Sequence, residues 1–203
     1  MSTAVLEFEA PQPLAGPPVE LGVPYLGEYD RRLAVFRGVM LAPHWALGFF
    51  VGLKLGFLTF VNYWIVLFTG RPRFVDFVSR ALIYYTRVNG YALRLTDHYP
   101  PFSLSAPYYP AEVWLDPPEE VERWRMFVAL LVGFPMFVVL AAVSVAAFVV
   151  GFFLAGLSII FTGYYPEGQF LFAARVLRYQ LRSCAYWHLM SNRFPGFSLD
   201  RRD

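Results

Sequence analysis

The sequence predicts an all-α integral membrane protein of two tandem repeats. Each repeat is an apolar membrane helix, Pro-broken or folded as a hairpin, followed by an arginine-bearing amphipathic interfacial helix. Three observations predict it. Of 203 residues, 57% are hydrophobic and only 16% charged, against roughly 25% charged in soluble domains. A soluble fold of this size has too little interior for that apolar surface, whereas a bilayer replaces water as the solvent. No charged side chain occurs from Met126 through Pro166. The chain also repeats itself: Phe68–Gly70 and Phe161–Gly163 both read FTG, and Thr96–Leu104 (TDHYPPFSL) is echoed by Ser191–Leu199 (SNRFPGFSL). Between these anchors Arg80 aligns with Arg175, Tyr84 with Tyr179, Arg87 with Arg182 and Tyr91 with Tyr186.

The organisation follows from these anchors. Residues 1–29 form an acidic tail with Pro11, Pro13, Pro17, Pro18 and Pro24 and no sustained periodicity, expected to be disordered. Residues 30–104 are the first membrane unit, 105–116 an acidic, proline-rich linker, 117–199 the second unit and 200–203 a C-terminal tail. No cleavable leader is expected, because the N-terminus lacks a basic stretch before a short apolar core.

In the first unit Asp30 caps a short helix from Arg31 that ends near Pro43. The following run, His44–Phe68, is long enough to span, since about 20 apolar helical residues cross about 30 Å of hydrocarbon. Gly48, Gly52 and Gly56 recur every fourth residue and so share a face that another helix can approach closely. Lys54 interrupts the run; at mid-depth it costs roughly 2.5–3.5 kcal/mol, which marks it as a candidate midplane functional residue. In the second unit Asp116 caps an approach helix from Pro117, with Glu119 and Glu120 at its positive end. Pro135 divides that approach from the span, where Ala147, Gly151 and Ala155 repeat the small-residue spacing.

The segment after each FTG carries the arginines. Arg73, Arg80, Arg87 and Arg94 are seven apart, a spacing that drifts only about 20° per step around a helix. Phe74, Phe77, Val78, Ala81, Tyr85, Val88, Ala92 and Leu95 gather opposite. Arg175, Arg178 and Arg182 likewise share one face of the second helix. Both helices are expected in the headgroup layer with arginines towards phosphates, as lipid- or partner-binding residues. Tyr99–Phe102 and Phe194–Phe197 close the units as aromatic-proline staples at the interface.

Chemistry is harder to find. His44, His98 and His188 lack metal-ligand spacing, and the lone Cys184 excludes an internal disulfide and a cysteine-based zinc site. Asp97-His98 has Asn192-Arg193 as its counterpart, so the pair is not duplicated. No catalytic triad, phosphate loop or dinucleotide fingerprint occurs. The expectation is no catalytic residue, no metal and no cofactor. The arginines alternate with membrane-seeking aromatics, so lipid phosphate is a nearer anion than nucleic acid, which is not expected as a partner.

One resemblance is specific. Ala42–His44, an apolar run, Leu67–Arg71 (LFTGR), an arginine helix and Tyr99–Leu104 (YPPFSL) together resemble a bacterial membrane family catalogued as domain of unknown function 4389. The resemblance covers residues 30–199 as two tandem copies, the second with Tyr164 in place of Arg71 and Gly196 in place of Pro101. It implies a bacterial membrane protein and supplies no activity. The expected location is the cell inner (cytoplasmic) membrane, multi-pass, with two principal spans or re-entrant hairpins. The expected function is a non-enzymatic scaffold or accessory subunit that binds anionic lipid or a membrane protein partner. A small transporter or channel component acting as an oligomer is the alternative. Membrane lipids and a homo-oligomer or larger membrane complex are the expected partners.

Overall fold

The computed structural model describes residues 19–105 and 109–199. The chain is mostly helical, and its two longest rods carry the apolar sequence. α1 (Arg31–Thr69) is one uninterrupted helix of 39 residues that contains Pro43. α3 (Arg125–Phe148) contains Pro135 and runs through a π-helical turn, Val149–Leu154, into α4 (Ala155–Thr162). The expected breaks at the prolines and the hairpin alternative are therefore corrected. A proline removes one hydrogen bond and loosens the preceding turn, but neighbouring groups can restore what is lost. Here the Tyr99 hydroxyl donates to Met40 O at 2.9 Å, in the turn that precedes Pro43.

Asp30 caps α1 as expected, its carboxylate accepting from Arg32 N–H at 2.7 Å. The approach helix expected from Pro117 is not formed, and helical structure begins at Arg125. Two consecutive prolines disfavour helix at Asp116 and Pro117, and the segment then serves another purpose: Val121 N–H donates to Gly70 O.

Both long rods turn large apolar side chains outward, and α1 is inverted relative to a soluble amphipathic helix. The protein-facing stripe of α1 includes Arg37, His44, Thr59 and Asn62 among its buried residues. Its outward stripe carries Phe36, Val39, Phe50, Leu53, Phe57, Phe60 and Phe68, all exposed. The outward side of α3 and α4 is similar, with Leu131 80%, Phe134 78% and Phe161 76% exposed. Only 33% of the most apolar stretch of α1, and 11% of that in Leu131–Thr162, lies inside the protein. A core helix of a soluble protein would be mostly buried. Two helices are thus long and apolar enough to cross a membrane.

The arginine helices are α2 (Val75–Ala92) and α5 (Glu167–Trp187). They were expected to lay their apolar sides into lipid; instead those sides form the protein core. α2 packs along α1, α5 along α3, and the two pack on each other. Val78, Ala81 and Leu82 join Ala173, Ala174 and Leu177 in one buried cluster. The correction has a simple cause. The apolar stripe of each is wide enough to be covered by two helices, which a single interfacial helix would leave in lipid.

A two-stranded antiparallel sheet completes the fold. β1 (Val19–Gly22) pairs with β2 (Glu112–Leu115), Val19 opposite Leu115 and Gly22 opposite Glu112. The expected disordered tail over 1–29 is corrected for residues 19–29; residues 1–18 lie outside the described residues, as do 106–108 and 200–203. Four-residue strands with partners in a distant connector give almost no local pattern.

The two halves interlock. Tyr29 N–H, just before α1, donates to Gly163 O at 3.0 Å, while Val121 N–H, just before α3, donates to Gly70 O at 2.8 Å. The arm before each long rod thus closes on the FTG turn of the other half. Both turn glycines need their freedom, with φ of 74° at Gly70 and 84° at Gly163. Side chains reinforce the crossing: Arg71 pairs with Glu120 at 3.1 Å, and Tyr164 donates to Glu28 at 3.1 Å.

Candidate functional site

The arginines divide into three environments. Arg73, Arg80, Arg175 and Arg178 are exposed along the outer sides of α2 and α5. Arg80 reaches Ser105 Oγ at 3.4 Å, and Arg178 Nε donates to Leu21 O of β1 at 3.0 Å. Arg87 and Arg182 are half-buried, Arg87 lying 5.4 Å from the Tyr109 ring centroid. The third environment is internal, and it holds Arg94 together with two arginines that the sequence reading did not select.

Arg94 is only 4% exposed. Its Nε donates to Phe152 O at 3.1 Å in the π-helical turn and its Nη1 to Ala34 O at 3.0 Å in the first turn of α1. Burial holds its pKa well below the usual arginine range, at about 10, with the nearby Arg37 charge pushing the same way. A π-helical turn lengthens its hydrogen-bond spacing and frees carbonyls; Arg94 occupies one of them. Glycines make the room: a Cβ at Gly156 would lie 2.7 Å from Arg94 Nη2, and one at Gly151 would lie 3.0 Å from Leu93 O. The guanidinium of Arg94 therefore faces protein carbonyls, not a headgroup layer.

Arg37 and Arg125 form two matched clamps. Arg37 Nη1 donates to Tyr91 O at 2.7 Å and Thr96 O at 2.9 Å, and Nη2 pairs with Asp97 Oδ1. Arg125 Nη2 donates to Ser191 O at 2.6 Å and reaches Tyr186 O at 3.5 Å, while Nη1 reaches Asn192 Oδ1 at 3.5 Å. Each guanidinium stacks on the ring of the tyrosine whose carbonyl it meets, 4.3 Å from Tyr91 and 3.8 Å from Tyr186. Burial lowers the pKa of Arg125.

The clamps sit where α2 and α5 end, and their chemistry follows from helix termini. Leu95 N–H donates to Gly90 O and Arg94 N–H to Tyr91 O; Met190 N–H donates to Ala185 O and Leu189 N–H to Tyr186 O. Each set is a Schellman cap, with Arg94 (φ 61°) and Leu189 (φ 64°) in the left-handed position usually held by glycine. Carbonyls at a helix C-terminus carry partial negative charge, and each buried arginine adds a donor to one capped carbonyl, Tyr91 O or Tyr186 O, and to one just beyond the helix, Thr96 O or Ser191 O. The sequence held a usable signal: an arginine near the start of each long apolar rod, matched to Tyr91, Thr96 and Asp97 in one unit and Tyr186, Ser191 and Asn192 in the other.

The small residues face the places where helices approach. Gly48 O accepts from the Tyr85 hydroxyl, and a Cβ at Gly52 would lie 2.8 Å from that oxygen. Gly56 has open space beside it. Ala147 and Ala155 are fully buried, on either side of Gly151. Lys54 is exposed, with Nζ 4.3 Å from the centre of the Phe77 ring. Among the described residues no cluster of three or more His, Cys, Asp or Glu could hold a metal ion.

A family model described as "Domain of unknown function (DUF4389)" matches residues 31–103. The chain is similar to that family over α1, α2, the Arg37 clamp and the Tyr99–Phe102 staple. The match covers one copy, not the two expected from the repeat. No curated protein and no solved structure matches the chain.

Proposed function

We propose that this chain is a non-enzymatic scaffold of the cell inner membrane, multi-pass, that holds anionic lipid or a membrane protein partner against its arginine faces. The observation that carries the reading is the display of large apolar side chains on the outward faces of both long rods, with polar groups turned inward on α1. From Phe36 to Phe68 the outward stripe of α1 runs ~48 Å, against about 30 Å of hydrocarbon. The rods therefore tilt or reach into both headgroup layers, where Arg73, Arg80, Arg175 and Arg178 meet phosphates. We also propose that the two units are tandem copies related by an approximate twofold. Support comes from the paired caps, clamps and crossed arms described above.

The test is lipid retention. The intact protein, reconstituted with mixed phosphatidylcholine and phosphatidylglycerol and then stripped by detergent, should keep phosphatidylglycerol preferentially in native mass spectra. Arg80→Gln with Arg175→Gln should weaken that preference by about 1 kcal/mol per arginine. Equal retention of both lipids by the wild-type protein, with no co-purifying protein, would sink the proposal.

A further inference from the structure

A cleft of about 350 Å³ opens between α1, α2 and α5. That volume is at the lower end of the range of about 300–1,000 Å³ for small-molecule sites. Its walls are mainly apolar, with Leu82 and Leu177 on the α2 and α5 sides, and no charged residue lines it. Gly52 and Gly56 form its edge on α1; Gly56 and Asn89 are exposed, so the cleft opens past them. Lys54 turns instead to Phe77.

Polar side chains also line the cleft, those of Thr86, Asn89, Gln180 and His188, and Gln180 Nε2 donates to Ser144 Oγ at 2.8 Å. His188 Nδ1 is 2.7 Å from Thr59 Oγ1, and its Nε2 meets no hydrogen-bond partner among the described residues. Burial depresses its pKa to about 4, so the ring is neutral at physiological pH. If Nδ1 donates to Thr59, Nε2 is an acceptor; if Thr59 donates to Nδ1, Nε2–H is a donor. A hydroxyl satisfies either state. The corresponding place in the other half is held by Leu93, whose backbone and side chain close directly over Gly151. Leu93 thus fills in one half the place that His188 holds in the other.

We propose that this cleft binds a neutral, hydroxyl-bearing lipid, with its hydroxyl on His188 Nε2, its first carbons between Leu82 and Leu177, and its tail leaving past Gly56. The occupant is neutral because the opening lies in the middle of α1, flanked by the exposed Leu53 and Phe57. A phosphate at that level would leave water with no countercharge in the walls, a cost of several kcal/mol. The volume admits a head and the start of a chain, not a whole lipid. The chemistry is shared by a long-chain isoprenoid alcohol and a diacylglycerol. The inference rests on the membrane setting of the long rods but not on the arginine faces.

The experiment uses the full chain in nanodiscs with three diazirine probes: an isoprenoid alcohol, a diacylglycerol and a phosphatidylglycerol. Crosslinks from one or both neutral probes should map to residues 52–56 and 177–188, and the probe that labels names the source. Gly56→Leu should cut this labelling about tenfold, as should replacing the probe's hydroxyl by a methyl ether. His188→Leu copies the residue at the matching position and should erase the difference between hydroxyl and ether; it carries the test if Gly56→Leu fails to fold. Labelling spread over the outward rod faces would overturn the proposal, as would equal labelling by phosphatidylglycerol or a hydroxyl preference that survives His188→Leu. Arg80→Gln should leave cleft labelling intact; a wild-type protein that labels in the cleft but shows no phosphatidylglycerol preference refutes the arginine reading alone, and one that keeps the preference but does not label there refutes this one.

Discussion

The Arg37 and Arg125 clamps do the same structural work with different charge balance. Both close the C-terminal end of a core helix and both stack on a tyrosine. Arg37 meets the carboxylate of Asp97, which also accepts from Asp30 N–H at 2.8 Å and so ties the clamp to the start of α1. Arg125 meets the amide of Asn192, whose Nδ2 donates to Glu120 O at 2.9 Å. The first clamp is an ion pair locked to a helix cap; the second is a lone buried cation held by carbonyls and an amide. Geometry is kept while charge is changed, so backbone satisfaction is the common requirement and the ion pair is an addition to it.

The sharpest way to break the comparison is to remove each arginine. Arg37→Met should cost about 3–5 kcal/mol, because it leaves a partly buried carboxylate without its countercharge and takes a donor from Thr96 O. Arg125→Met should cost less, about 1–3 kcal/mol, because only uncharged groups are left unpaired. Unfolding of the two variants in mixed micelles would check the order; equal losses would mean that Asp97 contributes nothing to the clamp.

Next in size is a pH effect from His188. His188 is neutral when folded, with its pKa lowered to about 4 from 6.5. The unfolded chain therefore binds a proton that the folded chain refuses between those values. The contribution is fully present above pH 6.5 and is lost as pH falls towards 4, by up to about 3 kcal/mol. His188→Leu should flatten that part of the stability profile. Leu93, at the matching position, carries no titratable group.

Arg94→Leu probes the other asymmetry. Two carbonyls, Phe152 O and Ala34 O, lose their donor at a cost of about 1–3 kcal/mol, offset in part by removing a buried charge. Amide exchange should rise locally over residues 149–156. If exchange there is unchanged, the π-helical turn does not depend on Arg94. The smallest effect is the exchange of partners. Asp97→Asn should destabilise by about 1 kcal/mol, while Asn192→Asp should be near neutral, its gain with Arg125 set against the lost bond to Glu120 O.

Much of the fold was legible in the sequence where local chemistry decides structure. The apolar runs located both rods, Asp30 marked the start of α1, and the FTG motifs marked the left-handed turns at Gly70 and Gly163. The prolines misled because their effect depends on neighbours: Tyr99, far along the chain, supplies a donor beside Pro43. The pairing of β1 with β2 was hidden for the same reason. At the candidate site, the seven-residue spacing grouped Arg94 with Arg73, Arg80 and Arg87, but spacing cannot register that α2 ends at Ala92 and that Arg94 turns inward from the cap. In the sequence Arg37 is a single charge among apolar residues and Arg125 is the last of the charged run from Glu119. Their meaning lay in the carbonyls they reach, which sequence spacing does not display.

The account rests most heavily on the outward faces of the long rods meeting lipid. A spin label placed singly at Phe36, Val39, Phe50, Phe57, Phe60 and Phe68, in a Cys184→Ala background and in nanodiscs, tests this directly. The account predicts high access to oxygen and low access to a water-soluble relaxant at the central positions Phe50, Phe57 and Phe60, with water access returning only near Phe36 and Phe68. High access of the water-soluble relaxant along the whole stripe would contradict it.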